Sequence, residues 1–454
     1  MKKLSKHILT MALAIVSLSA FAQFNNIDLN NYKLTNYRFN SLSTNLSSNN
    51  SFGKYNSSYD YKNHYIYNTA NINFFLTKYN RQYYGYHSLD FNVNNSNSKS
   101  IHDFSSSTIK SFNNNMNIYL RGISENNFYI INDFFIGFNV STIQSPNRAY
   151  QEYENITNTS KFFTSNYASQ NYISFLFGKG RIENVADARL AIYILEDLAN
   201  NGRLTKTPSE EEVFKFADFI NEVLNHRIID SRIKRMQEYT AIDSFLVSNE
   251  YVTKTDGLYF GLVNDNWNYA RGNTWETGNI WNIRIAPFAN LDKRFIKQTE
   301  YGIATKQVNE VTEYGLNIGA EYSSRWINGL NWQSGYNLNS SFNVFRYDTI
   351  GTAFYGTNYK NIVLSAQYFK AYIPNTRTYL RVSTGIIAQK NFYEEKSDEI
   401  FINPFVSGQC SYYFSQKLRF QLNSSINYQY EENDNYDSKR LNFNISAGIQ
   451  YYFF

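Results

Sequence analysis

RLNFNISAGIQYYFF, residues 440–454, alternates almost without a break. Leu441, Phe443, Ile445, Ala447, Ile449, Tyr451 and Phe453 fall on one parity; Arg440, Asn442, Asn444, Ser446 and Gln450 fall on the other. Successive side chains of a strand point to opposite faces, so this stretch is a strand with one oily and one wet side. It is also long, since strands of ordinary globular sheets run to about five or six residues. A long strand of this kind suits a wall between lipid and water.

The same alternation recurs upstream at 416–430, 399–414, 376–390, 360–372, 332–347, 312–326 and 278–291. Short breaks (373–375, around Ser415, 328–331) take turns with long polar ones (431–439, 391–398, 348–359, 292–311). Nearer the start, candidate strands lie at 32–46, 62–77, 82–94, 109–121, 127–141 and 167–178, with turns near Asn80 and at 124–126 and polar loops at 95–108 and 142–166. The stretch from Phe24 to Tyr61 is rich in Asn and Ser and reads equally well as coil. Six early and eight late segments make about fourteen strands. The chain holds 40 Tyr and 36 Phe against 5 Pro. An AT-rich coding sequence gives the same bias, so the alternation carries the argument.

Residues 1–22 read as a secretion signal. Lys2, Lys3 and Lys6 precede an apolar run from Ile8 to Leu18 that is too short to span a bilayer, and Ala20-Phe21-Ala22 offers a small-x-small cleavage site. Downstream, no apolar run approaches the roughly 18 residues of a spanning helix. Cys410 is the single cysteine, so no intrachain disulfide can form.

The terminal strand, the turn-and-loop rhythm and the leader together resemble the Gram-negative outer-membrane β-barrels. The resemblance implies an all-β, antiparallel transmembrane β-barrel of about fourteen strands in the cell outer membrane, with short periplasmic turns and long external loops. It also implies contact with outer-membrane lipid and recognition of the terminal strand by the barrel assembly machinery. One departure is that Phe454 lies a residue beyond the lipid-facing parity. No TonB box or plug domain is evident near the start. The barrel would comprise 23–180 and 256–454, with 181–255 set between them.

That middle stretch changes period. Val185, Ala188, Ile192, Leu195 and Ala199 follow three-four spacing, with Asn184 to cap the helix and Gly202 to end it. A second helix opens at Thr207-Pro208-Ser209-Glu210, with Thr207 as N-cap and Glu210 as its reciprocal partner. Val213, Phe216, Ile220, Val223 and Leu224 form its stripe. A third runs from about Ile228 to Ser248 and buries Ile229, Ile233, Met236, Tyr239, Ile242 and Leu246. The loop count puts these helices in the periplasm, as a capping or stabilising subdomain, a plug, a gate, or a docking surface for a periplasmic protein. The basic run Arg227, Arg232, Lys234 and Arg235 reads as a solvated face.

Little in the chain points to chemistry. Formal net charge is +5, too small to argue for nucleic acid. No HExxH, paired CxxC, EF-hand or phosphate-loop spacing is present, so no metal or cofactor is implied. Gly178-Lys179-Gly180-Arg181 reads as a flexible strand exit. His87 and Ser88 point to opposite faces and cannot form a dyad with each other, and no local triad motif marks a catalytic residue. Trp267, Trp275 and Trp281 read as an interfacial belt. The wet parity is mainly Asn, Ser and Gln, with Arg284, Arg325, Arg346, Arg377, Arg381 and Arg419 as candidate lumen-lining residues. Three functions fit this sequence: a channel for small polar solutes or a secreted polymer, a non-transporting anchor that binds a partner, or an outer-membrane hydrolase.

Overall fold

The computed structural model describes residue 24 and residues 26–451, apart from 57–59, 105–106, 132, 155–158, 226–230, 269–274, 351–357, 395–396, 416–417 and 435. The expected leader at 1–22, Phe453 and Phe454 lie outside the described residues. Among the described residues, fourteen strands form one antiparallel meander in strict sequence order. The first six are β1 (Asn36–Asn56), β2 (Asp60–Asn80), β3 (Tyr83–Phe104), β4 (Ser107–Tyr129), β5 (Phe134–Glu154) and β6 (Thr159–Asn184). Helices α1 (Ala186–Asn200), α2 (Glu210–Asn225), α3 (Ser231–Ser248) and α4 (Gly257–Trp267) follow. The sheet resumes with β7 (Glu276–Glu300), β8 (Ile303–Asn328), β9 (Trp332–Ile350), β10 (Tyr359–Tyr372), β11 (Thr378–Tyr393), β12 (Glu399–Ser415), β13 (Leu418–Asn433) and β14 (Tyr436–Tyr451).

The strands outrun the expected ones at one end. β6 and β8 each have 26 residues, against the roughly 9–11 that cross a bilayer at a tilt. Polar stretches expected to be loops continue the ladder: Asp292 pairs with Val311, and Glu300 pairs with Ile303 across a two-residue hairpin. Tyr301 and Gly302 both have positive φ (50° and 77°), which the type I′ turn requires. With neither face apolar these stretches carry no hydrophobic alternation, but the neighbouring strand satisfies their backbone groups. The turn expected at 124–126 is likewise strand. β4 runs on to Tyr129, and just before β5 Phe134 N donates to the Ile131 carbonyl at 2.9 Å.

The alternation sets the two faces. Ile426 pairs with Phe443 and with Val406, and Leu422 pairs with Ala447 and with Cys410. This parity is outward: Leu364, Ile386, Val406, Ile426 and Ile445 are all exposed. Asn343, Asn361 and Ser383, of the other parity, are buried.

Following hydrogen-bonded partners across the sheet reveals its stagger. Tyr37 leads by way of Tyr79, Tyr84, Asn127, Gly137, Leu176, Arg284, Gly319, Ser341, Val363, Gln389, Phe401 and Glu431 to Ser438. Tyr37 is near the short-turn end of β1, whereas Ser438 is near the hairpin end of β14. The ladder has climbed almost a full strand. Joining the two edges with their ends level needs an offset of about 14 residues, which over fourteen strands gives a tilt of roughly 35°, the value of closed barrels. No β1–β14 pairing occurs among the described residues, and β14 is exposed on both faces along most of its length. The sheet curls strongly at the short-turn end. Arg181, on β6, donates to the carbonyls of Asn80 (2.9 Å) and Arg81 (2.7 Å) in the β2–β3 turn, which a flat sheet would hold roughly 19 Å away. Even strand number, up-and-down order, stagger and an oily outer face are the architecture of the outer-membrane β-barrels.

The helices pack at the short-turn end. α1 is buried on nearly every side (Ala188, Leu190, Ile192, Ile194, Leu195, Leu198), as befits a helix at the centre of a core. α2 buries Val213, Phe216, Ala217, Ile220 and Leu224 against it. Three sequence expectations are corrected here. The capping box is Ser209–Glu212, with Ser209 N to Glu212 Oε2 at 2.8 Å and Glu212 N to Ser209 Oγ at 3.3 Å, two residues later than Thr207–Glu210. Met236 is exposed, while Ile242 and Leu246 are buried; Ile228 and Ile229 lie outside the described residues. The helical region extends beyond 255 through α4, whose N-cap Asp256 accepts from Tyr259 N.

The stretch before β1 is no loose coil at its start. Phe24, Ile27, Leu29, Tyr32 and Leu34 are buried in the helical core. Glu210 accepts from Asp28 N at 3.0 Å, and the Asn30 amide bridges Thr277 and Ile327. The tryptophan belt is corrected too. Trp267 and Trp275 are among the largest fully buried side chains, and Trp267 Nε1 donates to Glu238 at 2.7 Å. Of the three, Trp281 alone stands on the outward parity, edge-on to Phe177.

Candidate functional site

The inner wall and its helical cap form one site. The six candidate arginines separate into different roles. Arg284, Arg325, Arg381 and Arg419 have inward parity. Arg284 Nε donates to Asn317 Oδ1 at 3.1 Å. Arg325 is largely buried, bonded to the carbonyls of Ser324 and Tyr336 and to Asn337, with Glu276 at 3.5 Å. Arg419 donates to Ser411 Oγ at 3.2 Å. Arg377 stands in the turn before β11 and pairs with Asp265 on α4, so it clamps the cap rather than lining the wall. Arg346 does not face inward. It pairs with Tyr314 and shares its parity with Leu338 and Phe342, because β9 runs without a bulge from Trp332.

Two inward rungs cross the wall side by side. One reads Tyr172, Phe288, Gly315, Phe345, Tyr359 and Tyr393 on successive strands β6 to β11. Phe345 and Tyr359 stack at 4.3 Å, and Tyr172 and Phe288 at 5.4 Å. Phe288 meets Phe345 and Tyr359 meets Tyr393 tilted, at 5.3 and 5.2 Å, so the row is a continuous rib of cross-strand ring contacts that favours this register. Gly315 makes room for it: a Cβ there would run into the Val344 carbonyl and the Phe288 ring. The next rung is amide: Asn317 donates to Asn343, and Asn343 Nδ2 donates to Asn361 Oδ1 at 2.5 Å. Sequence shows these residues as scattered Asn and Tyr; only the register puts them in rows.

Further round, the rungs Arg381–Gln409–Asn423–Ser446 and Ser383–Ser407–Ser425–Asn444 border a hollow of about 600 Å³.

The cap is joined to the wall at several points. Arg189 on α1 is 1% exposed, lies over the Tyr193 ring at 3.6 Å and donates to Asn331 Oδ1 at 3.1 Å. The Tyr193 hydroxyl donates to the Ile373 carbonyl at 2.9 Å. Asn331 and Ile373 belong to the short turns after β8 and β10. On the other side, Asn225 Oδ1 accepts from Arg38 N at 2.8 Å. Burial raises the carboxyls of Glu196, Asp197 and Asp218 above their ordinary range. Glu212 is held low by its bond from Ser209 N, and Asp256 by Arg203.

Gly178 to Arg181, expected to be a flexible exit, is part of β6. Arg181 is buried with its guanidinium 3.7 Å over the Tyr129 ring. His87 is outward, and its Nδ1 lies 3.0 Å from Ser124 Oγ. Asn126 donates to that oxygen at 3.0 Å and accepts from the Tyr83 hydroxyl at 2.7 Å. The polar groups satisfy one another, and no carboxylate joins them among the described residues. Nor do those residues hold a cluster of three or more metal-ligating side chains.

No family model matches the chain, and no curated protein does. Among solved structures, the Pseudomonas putida toluene transporter TodX aligns with a TM-score of 0.28 at 7% identity, over 95% of this chain and 92% of that one. The CymD monoaromatic hydrocarbon channel gives 0.26 at 9%, over 92% and 89%. A bacterial polysaccharide outer membrane secretin gives 0.23 at 7%, over 93% and 99%. Likenesses this distant carry no functional argument.

Proposed function

We propose that the protein is an outer-membrane channel for small polar solutes whose periplasmic mouth is closed by the helical cap. The carrying observation is the contrast between walls: a mainly apolar outer face, and an inner face of Asn, Ser, Gln and Arg, crossed by the rib of rings, whose polar residues a packed core would not use. An unpaired strand edge is not tolerated in lipid, so β14 joins β1 and closes the cylinder. The leader at 1–22 delivers the chain to the periplasm, and the barrel assembly machinery inserts it through the terminal strand. The cap is welded to the turns by Arg189, Tyr193 and Asp265, and acts as the gate. In planar bilayers the wild type should conduct rarely. Arg189→Ala combined with Asp265→Asn should open often, in discrete steps. Silence from both proteins would count against a channel.

A second reading has its own support. Leu258 and Phe260 on α4 and Met236 and Val247 on α3 are exposed apolar side chains on the cap. An anchor that docks a periplasmic protein there would co-purify with it in equal amounts and show no conductance.

A further inference from the structure

We propose that the hollow between β10 and β14 is a binding site for small anions bearing a carboxylate or phosphate head, with Arg381 as the group that selects them. This deepens the channel reading and rests on it for its biological meaning.

The hollow exists because its floor is small. Ser383, Ser407, Ser425 and Ser446 occupy inward positions where the rib of rings fills the same wall elsewhere. Its volume, about 600 Å³, is that of a small-molecule site. Arg381 is the one charged side chain among its lining residues. No carboxylate lines it to hold a cation, and the guanidinium bonds an anionic oxygen more strongly than the neutral hydroxyl of a polyol.

Arg381 is also positioned and uncommitted. Its guanidinium stacks on the Phe369 ring at 4.1 Å, and its Nε donates to Ser383 Oγ at 3.2 Å. Those contacts set the plane of the fork while its two terminal nitrogens carry no ion pair among the described residues. Arg325 approaches the same ring at 5.0 Å, but it is bonded to backbone carbonyls and to Glu276. It adds positive potential without competing for the ligand. A planar fork held by an aromatic ring is the arrangement that takes two oxygens of a carboxylate or phosphate in parallel bonds. The surrounding hydroxyls and the amides of Gln409 and Asn423 supply further donors.

The test uses the full-length protein in detergent and in planar bilayers, with succinate and inorganic phosphate as probes, and erythritol and putrescine as neutral and cationic controls. Calorimetry should show both anions binding the wild type. Arg381→Gln should weaken them about tenfold or more, the worth of a charged hydrogen bond, and Arg381→Lys should weaken them less. The controls should not distinguish the proteins. In a salt gradient the wild-type reversal potential should favour anions, and Arg381→Gln should reduce that preference. A gel shift on heating, shared by all variants, verifies that they fold. Anion binding equal in wild type and Arg381→Gln, or absent from the folded wild type, overturns the site. If the protein never conducts but calorimetry gives the stated pattern, the channel reading fails and the site stands.

Discussion

Arg189 of α1 donates to Asn331 in the β8–β9 turn across 3.1 Å, from a position 1% exposed to solvent. A buried guanidinium that loses an acceptor keeps its desolvation cost. Asn331→Ala should therefore cost about 1.5–3 kcal/mol of cap packing. Amide exchange in α1 should accelerate while exchange in β10 to β14 stays unchanged. Equal acceleration in both regions would mean that cap and wall unfold as one unit.

Closure of the barrel can be read from cross-links. In a Cys410→Ser background, Leu42→Cys should be paired in turn with Cys at positions 445, 447 and 449. The stagger predicts the strongest disulfide with Ala447→Cys, the partner at an offset of about 14 residues. No cross-link at any of the three positions would mean that β1 and β14 remain apart.

The assignment of faces predicts unequal tolerance of charge. Leu422→Arg, on the lipid side, should cost about 2–4 kcal/mol in a refolding titration, and Asn423→Arg should be mild. Similar costs for both would contradict the assigned parity.

Gly315→Ala should destabilise the wall by about 1–3 kcal/mol, because the added methyl meets the Val344 carbonyl and the Phe288 ring. Gly53→Ala, where nothing lies within 4 Å of the added methyl, is the control. Thermal loss of the heat-modifiable gel form reports the difference.

The cap should also respond to pH. Glu196, Asp197 and Asp218 have raised folded values, so their contribution is present below the ordinary carboxylate range and is lost as pH rises through those values. Glu212 and Asp256 have lowered values, so theirs is present above that range and is lost as pH falls through them. The cap should be tightest in mild acid. Amide exchange in α1 and α2, corrected for the intrinsic pH dependence, should be slower at about pH 5 than at about pH 8. Slower exchange at the higher pH would refute the linkage.

Much of the fold was legible along the chain. The strands expected at 399–414 and 360–372 match β12 and β10 to within a residue at each end. The Val213–Phe216–Ile220–Leu224 stripe matches the buried face of α2. Both rest on local periods, one of two residues and one of 3.6, and both survive in any context that buries one face. The misses share a cause as well. Residues 292–311 look like loop because no apolar face repeats there, yet β7 and β8 pair through them. Trp267 looks like a belt residue until Glu238 and the core around it are in view.

The inner wall divides along the same line. Sequence alone established that one parity is wet and that arginines are scattered on or near it. It did not distinguish Arg346 outside, Arg377 clamped to the cap and Arg381 beside the hollow. Alternation is a property of neighbours in the chain, and it determines which way a side chain points. What that side chain meets is set by register between strands far apart in sequence. Only the tertiary structure, with its ladder climbing from Tyr37 to Ser438, decided which residues share a rung, where the helices pack against the turns, and which inward arginine carries no ion pair among the described residues.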